Sequence, residues 1–317
     1  MTRVAVVGAG VMGAATAWAL RRSGADVTVY EQFDDVEHEH GSSHGRTRIF
    51  RLAYPDEGWV RLAAEGIEGW ADLGEEVLAP YGLIELAPAR ALTSADSLAR
   101  VGAEFSFAPP DERVRVPDGW AALWQPQAGV VYADRARRAL LRGVDVRTGV
   151  RVESPDELDA DVVVLTVGAW IRRFAPDVPV TVTRETVAYF RHDGPPLPSV
   201  VALNAERGHA MYALHDPVHG LKAGVHFGGV EADADDPATP DAVRVEQIAA
   251  WVAERFPGAD PTPAALQTCL YTSTADQSFV LERRGRLVIG SACSGHGFKF
   301  APAVGRRLAR LALQRVA

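Results

Sequence analysis

Val4-Ala5-Val6-Val7 is a short apolar run rich in β-branched residues, the pattern of a strand buried on both faces. Gly8-Ala9-Gly10-Val11-Met12-Gly13 follows at once, and Ala14 to Arg22 is rich in helix-forming Ala, Leu and Arg. Gly24 is placed to end that helix, and Val27-Thr28-Val29-Tyr30 reads as a second strand with Glu31 at its carboxyl end. Further on, the spacing predicts helices over 59–78, 134–141, 240–256 and 304–313. In the third of these Val243, Val245, Ile248, Ala249 and Val252 are the apolar positions. Strands are expected at 83–86, 144–147, 161–167 (ending in a turn at Gly168) and 287–290, with alternating strands over 180–190 and 211–227. The parallel-type pieces come from both ends and the middle, and the alternating pieces lie between them. This order predicts an α/β chain of two domains built from discontinuous segments: 1–78, 132–170 and 265–317 forming a Rossmann-like domain, 79–131 and 171–264 an antiparallel-sheet α+β domain.

The opening strand, turn and helix carry a physical logic. Gly8 allows the tight turn, Gly10 leaves room for a pyrophosphate against the backbone, and Gly13 lets the helix pack close to the sheet. The helix N-terminus offers unpaired N–H groups and partial positive charge to phosphates. Glu31 lies where an acid accepts hydrogen bonds from the adenosine ribose, which disfavours a 2′-phosphate and hence NADP. The motif implies a dinucleotide and leaves NAD and FAD open.

Composition narrows the class. At 317 residues the chain can bury a substantial core, and 47% hydrophobic with 23% charged residues is ordinary for a globular protein. A net charge of −8 argues against general nucleic-acid binding but not against a local basic pocket. No apolar run approaches the ~20 residues needed to span a bilayer. Met-Thr-Arg leads directly into the first strand, so no signal peptide fits and a cytoplasmic protein is expected. Cys269 and Cys293 make no disulfide framework and read as buried thiols.

Three polar stretches are candidates for chemistry. Residues 34–48 are mostly polar; His38 and His40 read as part of a solvated loop, and no zinc-type spacing supports a metal site. Gly41-Ser42-Ser43-His44-Gly45-Arg46-Thr47-Arg48-Ile49-Phe50-Arg51 is dense in donors; on a helix His44, Arg48 and Arg51 share one face, either solvated or forming a cationic wall beside a cofactor. In Gly220 to Phe227, Leu221, Ala223, Val225 and Phe227 share one strand face and Lys222, Gly224 and His226 the other, a face open to water or to a cavity. Ser291 to Phe300, with Gly295, His296, Gly297 and Lys299, is a second place where backbone N–H groups can meet an anion or a ring.

Together VVGAGVMG, GSSHGRTRIFR, TVGAW, GLKAGVHFGG, CLYTSTADQSF and SGHGFKFAPAVG resemble the monomeric sarcosine oxidase and N-methyltryptophan oxidase family of D-amino-acid-oxidase-like flavoproteins, over nearly the whole chain. The resemblance implies FAD held by Gly8, Gly10, Val11, Met12, Gly13, Glu31, Ser42, Arg48, Val152, Gly168, Gly295, Gly297 and Lys299, and attached covalently through Cys269. It implies Lys222 as the cation that assists reaction with dioxygen, His44 and Arg48 beside the flavin, Tyr212 and His226 as active-site walls, and Arg51 with Lys299 as the substrate-carboxylate anchor. The activity implied is oxidation of the C–N bond of a secondary or cyclic amino acid or amine to an imine, with dioxygen reduced to hydrogen peroxide by a monomer that binds neither nucleic acid nor membrane. A flavin dehydrogenase serving a carrier protein and a non-catalytic FAD-binding protein are the alternatives. Departures include apparent losses between 79 and 160 and after the final helix. Arg46 stands where an acid is common, Cys293 where a bulky apolar residue is usual, and the loop His215–His219 is polar.

Overall fold

A computed structural model describes residues 1–74, 76–107, 111–204 and 209–314. The opening strand Arg3–Val7 lies inside a six-stranded sheet whose spatial order is Val280–Arg284, Leu287–Ser291, Val162–Leu165, Arg3–Val7, Asp26–Tyr30 and Asp145–Arg147. All neighbours are parallel except the first pair. The central strands Arg3–Val7 and Val162–Leu165 are apolar because both faces are covered. One face carries the helices Val11–Arg22 and Ala301–Leu313, which meet through small residues. A Cβ on Gly305 would lie 2.5 Å from the Ala15 backbone, so the two helices approach more closely than side chains would otherwise allow.

A larger sheet stands beside it in the order Val230–Glu231, Thr181–Arg191, Gly220–His226, His209–Asp216, Ser199–Asn204, Leu83–Pro88 and Trp120–Gln125, with Pro263–Ser273 also paired to Thr181–Arg191. Its pairings are antiparallel apart from Ser199–Asn204 with Leu83–Pro88. Leu221, Ala223 and Val225 bury against Ile248, Trp251 and Val252 of the helix Ala242–Arg255. That packing turns Lys222, Gly224 and His226 to the opposite face. A three-stranded sheet of Thr47–Phe50, Gly129–Tyr132 and Leu78–Ala79, with the helices Glu57–Ala71, Ser94–Val101 and Ala133–Leu141, completes the frame.

Four expectations are corrected. No helix runs through 41–51: residues 41–46 form a loop and Thr47–Phe50 a strand, stabilised by antiparallel pairing with the distant Gly129–Tyr132. The helix expected to reach Leu78 ends at Ala71, where Asp72 caps it and Gly74 turns at φ 113°. Val243 is 69% exposed in the first turn of its helix rather than part of the apolar stripe. Pro263–Ser273, grouped from sequence with the parallel-sheet segments, pairs along its length with Thr181–Arg191 in the antiparallel sheet. Among the described residues no helix is long and apolar enough to cross a membrane.

Candidate active site

Every candidate residue except Gly13 lines one long cleft between the two sheets, enclosing about 2180 Å³ with its open mouth. At one end Gly8 turns at φ 96°, and a Cβ on it would stand 2.6 Å from the Thr166 carbonyl oxygen. Gly13 lies behind the wall, where a Cβ would be 1.9 Å from the Gly8 oxygen. Gly13→Ala is therefore expected to cost about 2–3 kcal/mol, read as a lower denaturant midpoint of the flavin-free protein; an unchanged midpoint contradicts this packing.

Gly10 caps the opening helix without a side-chain hydrogen bond, and the first turn carries no acid. Val11 N–H donates to Ser43 Oγ at 2.9 Å. The N–H groups of Met12 and Gly13 have no intrahelical acceptor, and the helix dipole adds positive potential there. Glu31 is buried, accepts from the Ala9 N–H (2.8 Å) and the Phe33 N–H (3.2 Å), and faces His38 Nε2 at 3.7 Å. Burial works to raise its pKa, but the His38 ring, then the Ala9 and Phe33 N–H groups, win and hold the carboxyl below its usual range. Val152 and Gly168 line the same end. His38 departs from the solvated-loop expectation: its ring packs on Phe33 at 4.3 Å and it lines the cleft. His40 also stacks on Phe33, at 4.2 Å, but faces solvent. Among the described residues no cluster could hold a metal ion.

The middle of the cleft gathers cations. Arg48 Nη2 donates to the Ser42 and His44 carbonyls at 2.7 and 2.5 Å, so the loop itself fixes the guanidinium. Ser42 Oγ donates to the Leu270 carbonyl, tying that loop to the strand of Cys269. His44 is buried with neither ring nitrogen hydrogen-bonded, and burial plus Arg48 and Lys222 hold its pKa down to about 2. The ring is therefore neutral. Lys222 Nζ donates to the Thr47 carbonyl at 3.3 Å and lies 5.7 Å from the Tyr189 ring centre. Burial, then Arg48, lowers Lys222 to about 7. Burial raises the Cys269 thiol to about 11, while Arg48 and Lys222 pull it back. Tyr212 is raised by burial, and its hydroxyl occupies the space that Gly224 leaves open: a Cβ there would be 2.5 Å away.

At the far end His226 Nδ1 meets the Tyr271 hydroxyl at 3.2 Å, and burial with Arg51 and Lys299 lowers the ring to about 3. Gly295 turns at φ 67°, and a Cβ on it would strike Tyr271 and His226, at 2.4 and 2.7 Å, so both backbone and space call for glycine. Gly297 has the Ala292 oxygen 1.9 Å from where its Cβ would be. Lys299 is buried, donates to the His296 carbonyl at 2.7 Å, and is held well below the usual lysine range by burial and Arg51. Arg51 packs over the Tyr54 ring at 4.2 Å, and Lys299 Nζ lies 5.7 Å from the same ring centre.

Sequence reasoning had not selected Tyr271, Tyr54, Ser43 or Glu85. Tyr271 was within reach, since period-2 alternation places it on the face of Cys269. Ser43 lay within the donor-dense stretch 41–51, whereas Tyr54 carried no local signal. The arrangement fits FAD: a glycine cradle, a helix N-terminus and a buried acid at one end suit an adenosine pyrophosphate. In the middle, buried His44 without partners beside Arg48 and Lys222 suits an electron-accepting ring, and at the far end Arg51 and Lys299 suit an anionic substrate.

Comparisons with known proteins agree with this geometry. Residues 3–311 match the family described as FAD dependent oxidoreductase. The chain is 30% identical to a probable sarcosine oxidase of Arabidopsis thaliana, covering 98% of this chain and 88% of that one. It is 29% identical to the monomeric sarcosine oxidase of Bacillus sp. (strain B-0618), covering 98% and 92%. The open form of NikD, titled an unusual amino acid oxidase essential for nikkomycin biosynthesis, superposes with a TM-score of 0.84 at 22% identity, covering 99% of this chain and 95% of that one, a likeness of fold. The chain belongs to the FAD-dependent oxidoreductase family that includes the sarcosine oxidases.

Proposed function

We propose that this protein is an FAD-dependent amine oxidase acting on a secondary or cyclic amino acid. The observation that carries the reading is the single cleft that joins the glycine-rich nucleotide end to buried Lys222 and, beyond it, to the Arg51–Lys299 pair. The parallel sheet and its helices would hold the nucleotide, and the antiparallel sheet would wall the substrate. Pyrophosphate would lie against Gly10 to Met12, ribose against Glu31, and the adenine end beside Val152. FAD, when bound, supplies the acceptor for the two electrons of the C–N bond.

Arg51 and Lys299 anchor the substrate carboxylate, orienting the amine carbon. His226, Tyr212 and Tyr271 form the wall around it, and the lowered pKa of His226 keeps that ring uncharged beside the cations. The substrate enters as the neutral amine, so no strong protein base is required. It loses a hydride from carbon and a proton from nitrogen and leaves as the imine. Dioxygen takes up the two electrons and two protons as hydrogen peroxide, with the positive charge of Lys222 stabilising the negative charge that develops. The flavin is held covalently through Cys269, and the protein acts as a monomer.

The test is a panel of N-methylated and cyclic amino acids added anaerobically to the yellow protein. Bleaching, followed by recovery in air with hydrogen peroxide released, is expected. Bleaching without recovery in air would instead favour transfer to a carrier protein, and no bleaching with any amine removes the catalytic reading. Within this scheme Arg51→Met is expected to raise KM for a carboxylated substrate by roughly 10–100-fold, the loss of a charge-assisted hydrogen bond, with a smaller change in kcat. A KM unchanged by the substitution would count against the anchor.

A further inference from the structure

The strand Leu83–Pro88 is apolar apart from Glu85, and Glu85 is 1% exposed. A buried carboxylate is costly unless something compensates it. Here Oε1 accepts from Ser94 Oγ at 2.7 Å, and Oε2 lies 3.4 Å from Arg51 Nη1. The same Nη1 donates to the Ala53 carbonyl at 2.6 Å. Among the described residues Nε and Nη2 of Arg51 have no protein acceptor, and Arg51 lines the cleft while Glu85 does not. The acid thus sits behind the guanidinium and leaves its other edge for a ligand.

The charges around this end can be counted. Arg51 and Lys299 are the two basic side chains at this end, both within 6 Å of the Tyr54 ring centre, and a bound carboxylate favours the charged form of Lys299 that burial and Arg51 oppose. His226 and His296 are held neutral, at about 3 and about 2, by burial and these same cations. Among the described residues Glu85 is the carboxylate in contact with Arg51; burial pushes its pKa up, and the Arg51 charge and the Ser94 hydrogen bond oppose that shift and favour the charged form.

We propose that Glu85 is a specificity-determining residue that leaves this subsite with one uncompensated positive charge, matched to a single carboxylate and selecting monocarboxylate amines over those with a second acid group nearby. The inference rests on the reading of Arg51 and Lys299 as the carboxylate anchor. Glu85 touches no substrate itself; it acts through the Arg51 guanidinium and through the field at the subsite.

The test titrates the flavin-loaded protein with acetate and, separately, with malonate, following the visible absorption of the flavin. Wild type is expected to favour the monoanion. Glu85→Gln keeps the shape and the acceptor for Ser94 but removes the charge, so malonate should gain on acetate by about ten-fold relative to wild type. Glu85→Asp, which keeps the charge, should retain the wild-type preference. If Glu85→Gln is recovered without flavin, Glu85→Met repeats the neutral substitution. A ratio left unchanged, or a weakening equal for both ligands, would mean that Glu85 merely packs, and it overturns the proposal. Arg51→Met separates the two failures. Loss of both ligands upholds the anchor whatever Glu85 does, whereas unchanged binding of both removes the anchor and with it this inference.

Discussion

Lys222→Met should slow reoxidation of the substrate-reduced protein by dioxygen by roughly 10²–10³-fold, the scale set by removing one preorganised charge from a buried site. Methionine keeps the unbranched length and removes the charge. The substitution should leave reduction by substrate much less affected, because Arg51 and Lys299, not Lys222, are assigned to the substrate. Anaerobic stopped-flow mixing with substrate measures reduction, and mixing of the reduced protein with air-saturated buffer measures reoxidation. Burial and Arg48 bring Lys222 down to about 7, so its charge is present below that pH and is lost above it. Wild-type reoxidation should accordingly fall as pH rises through about 7, and the variant should be flat over the same range. Equal reoxidation rates in the two proteins would remove Lys222 from the oxygen reaction.

Cys269→Ser should change the flavin from fully retained to fully released when the protein is precipitated with acid. Attachment requires the thiolate, and burial places the thiol at about 11. Arg48 opposes that shift more strongly than Lys222 does, so Arg48→Met should also slow attachment of added FAD to the flavin-free protein. Colour in the wild-type pellet, absent from the Cys269→Ser pellet, establishes the bond. Colour released from wild type leaves an FAD protein in which Cys269 is a buried thiol in the cleft wall.

The two predictions draw on different kinds of information. The position of Lys222 was legible in the chain itself: alternation in Gly220–His226 separates Leu221, Ala223 and Val225 from Lys222, Gly224 and His226, and burial against Ala242–Arg255 fixes which face turns inward. The thiol and its charge environment were less legible. Cys269 lies far along the chain from Arg48, and only the loop carbonyls of Ser42 and His44 bring the guanidinium into place.

By itself the sequence determined the opening strand, glycine turn, helix and second strand, because each depends on local periodicity and on space that only glycine leaves. Alternation likewise separated Lys222, Gly224 and His226 from the apolar side of their strand, while packing against Ala242–Arg255 decided that they face the cavity. Tertiary structure decided the rest. Small and polar residues over 41–51 are compatible with a helix locally, and pairing with Gly129–Tyr132 makes Thr47–Phe50 a strand instead. His38 looked solvated until Phe33 and Glu31 were seen beside it. Glu85 was a lone acid in an apolar strand; its partner lies 34 residues earlier, and the contact at 3.4 Å arises only when the Arg51 loop folds over that strand. Side-chain period is a property of neighbours in sequence, whereas the charge balance of a buried site depends on groups that only the packed chain brings together.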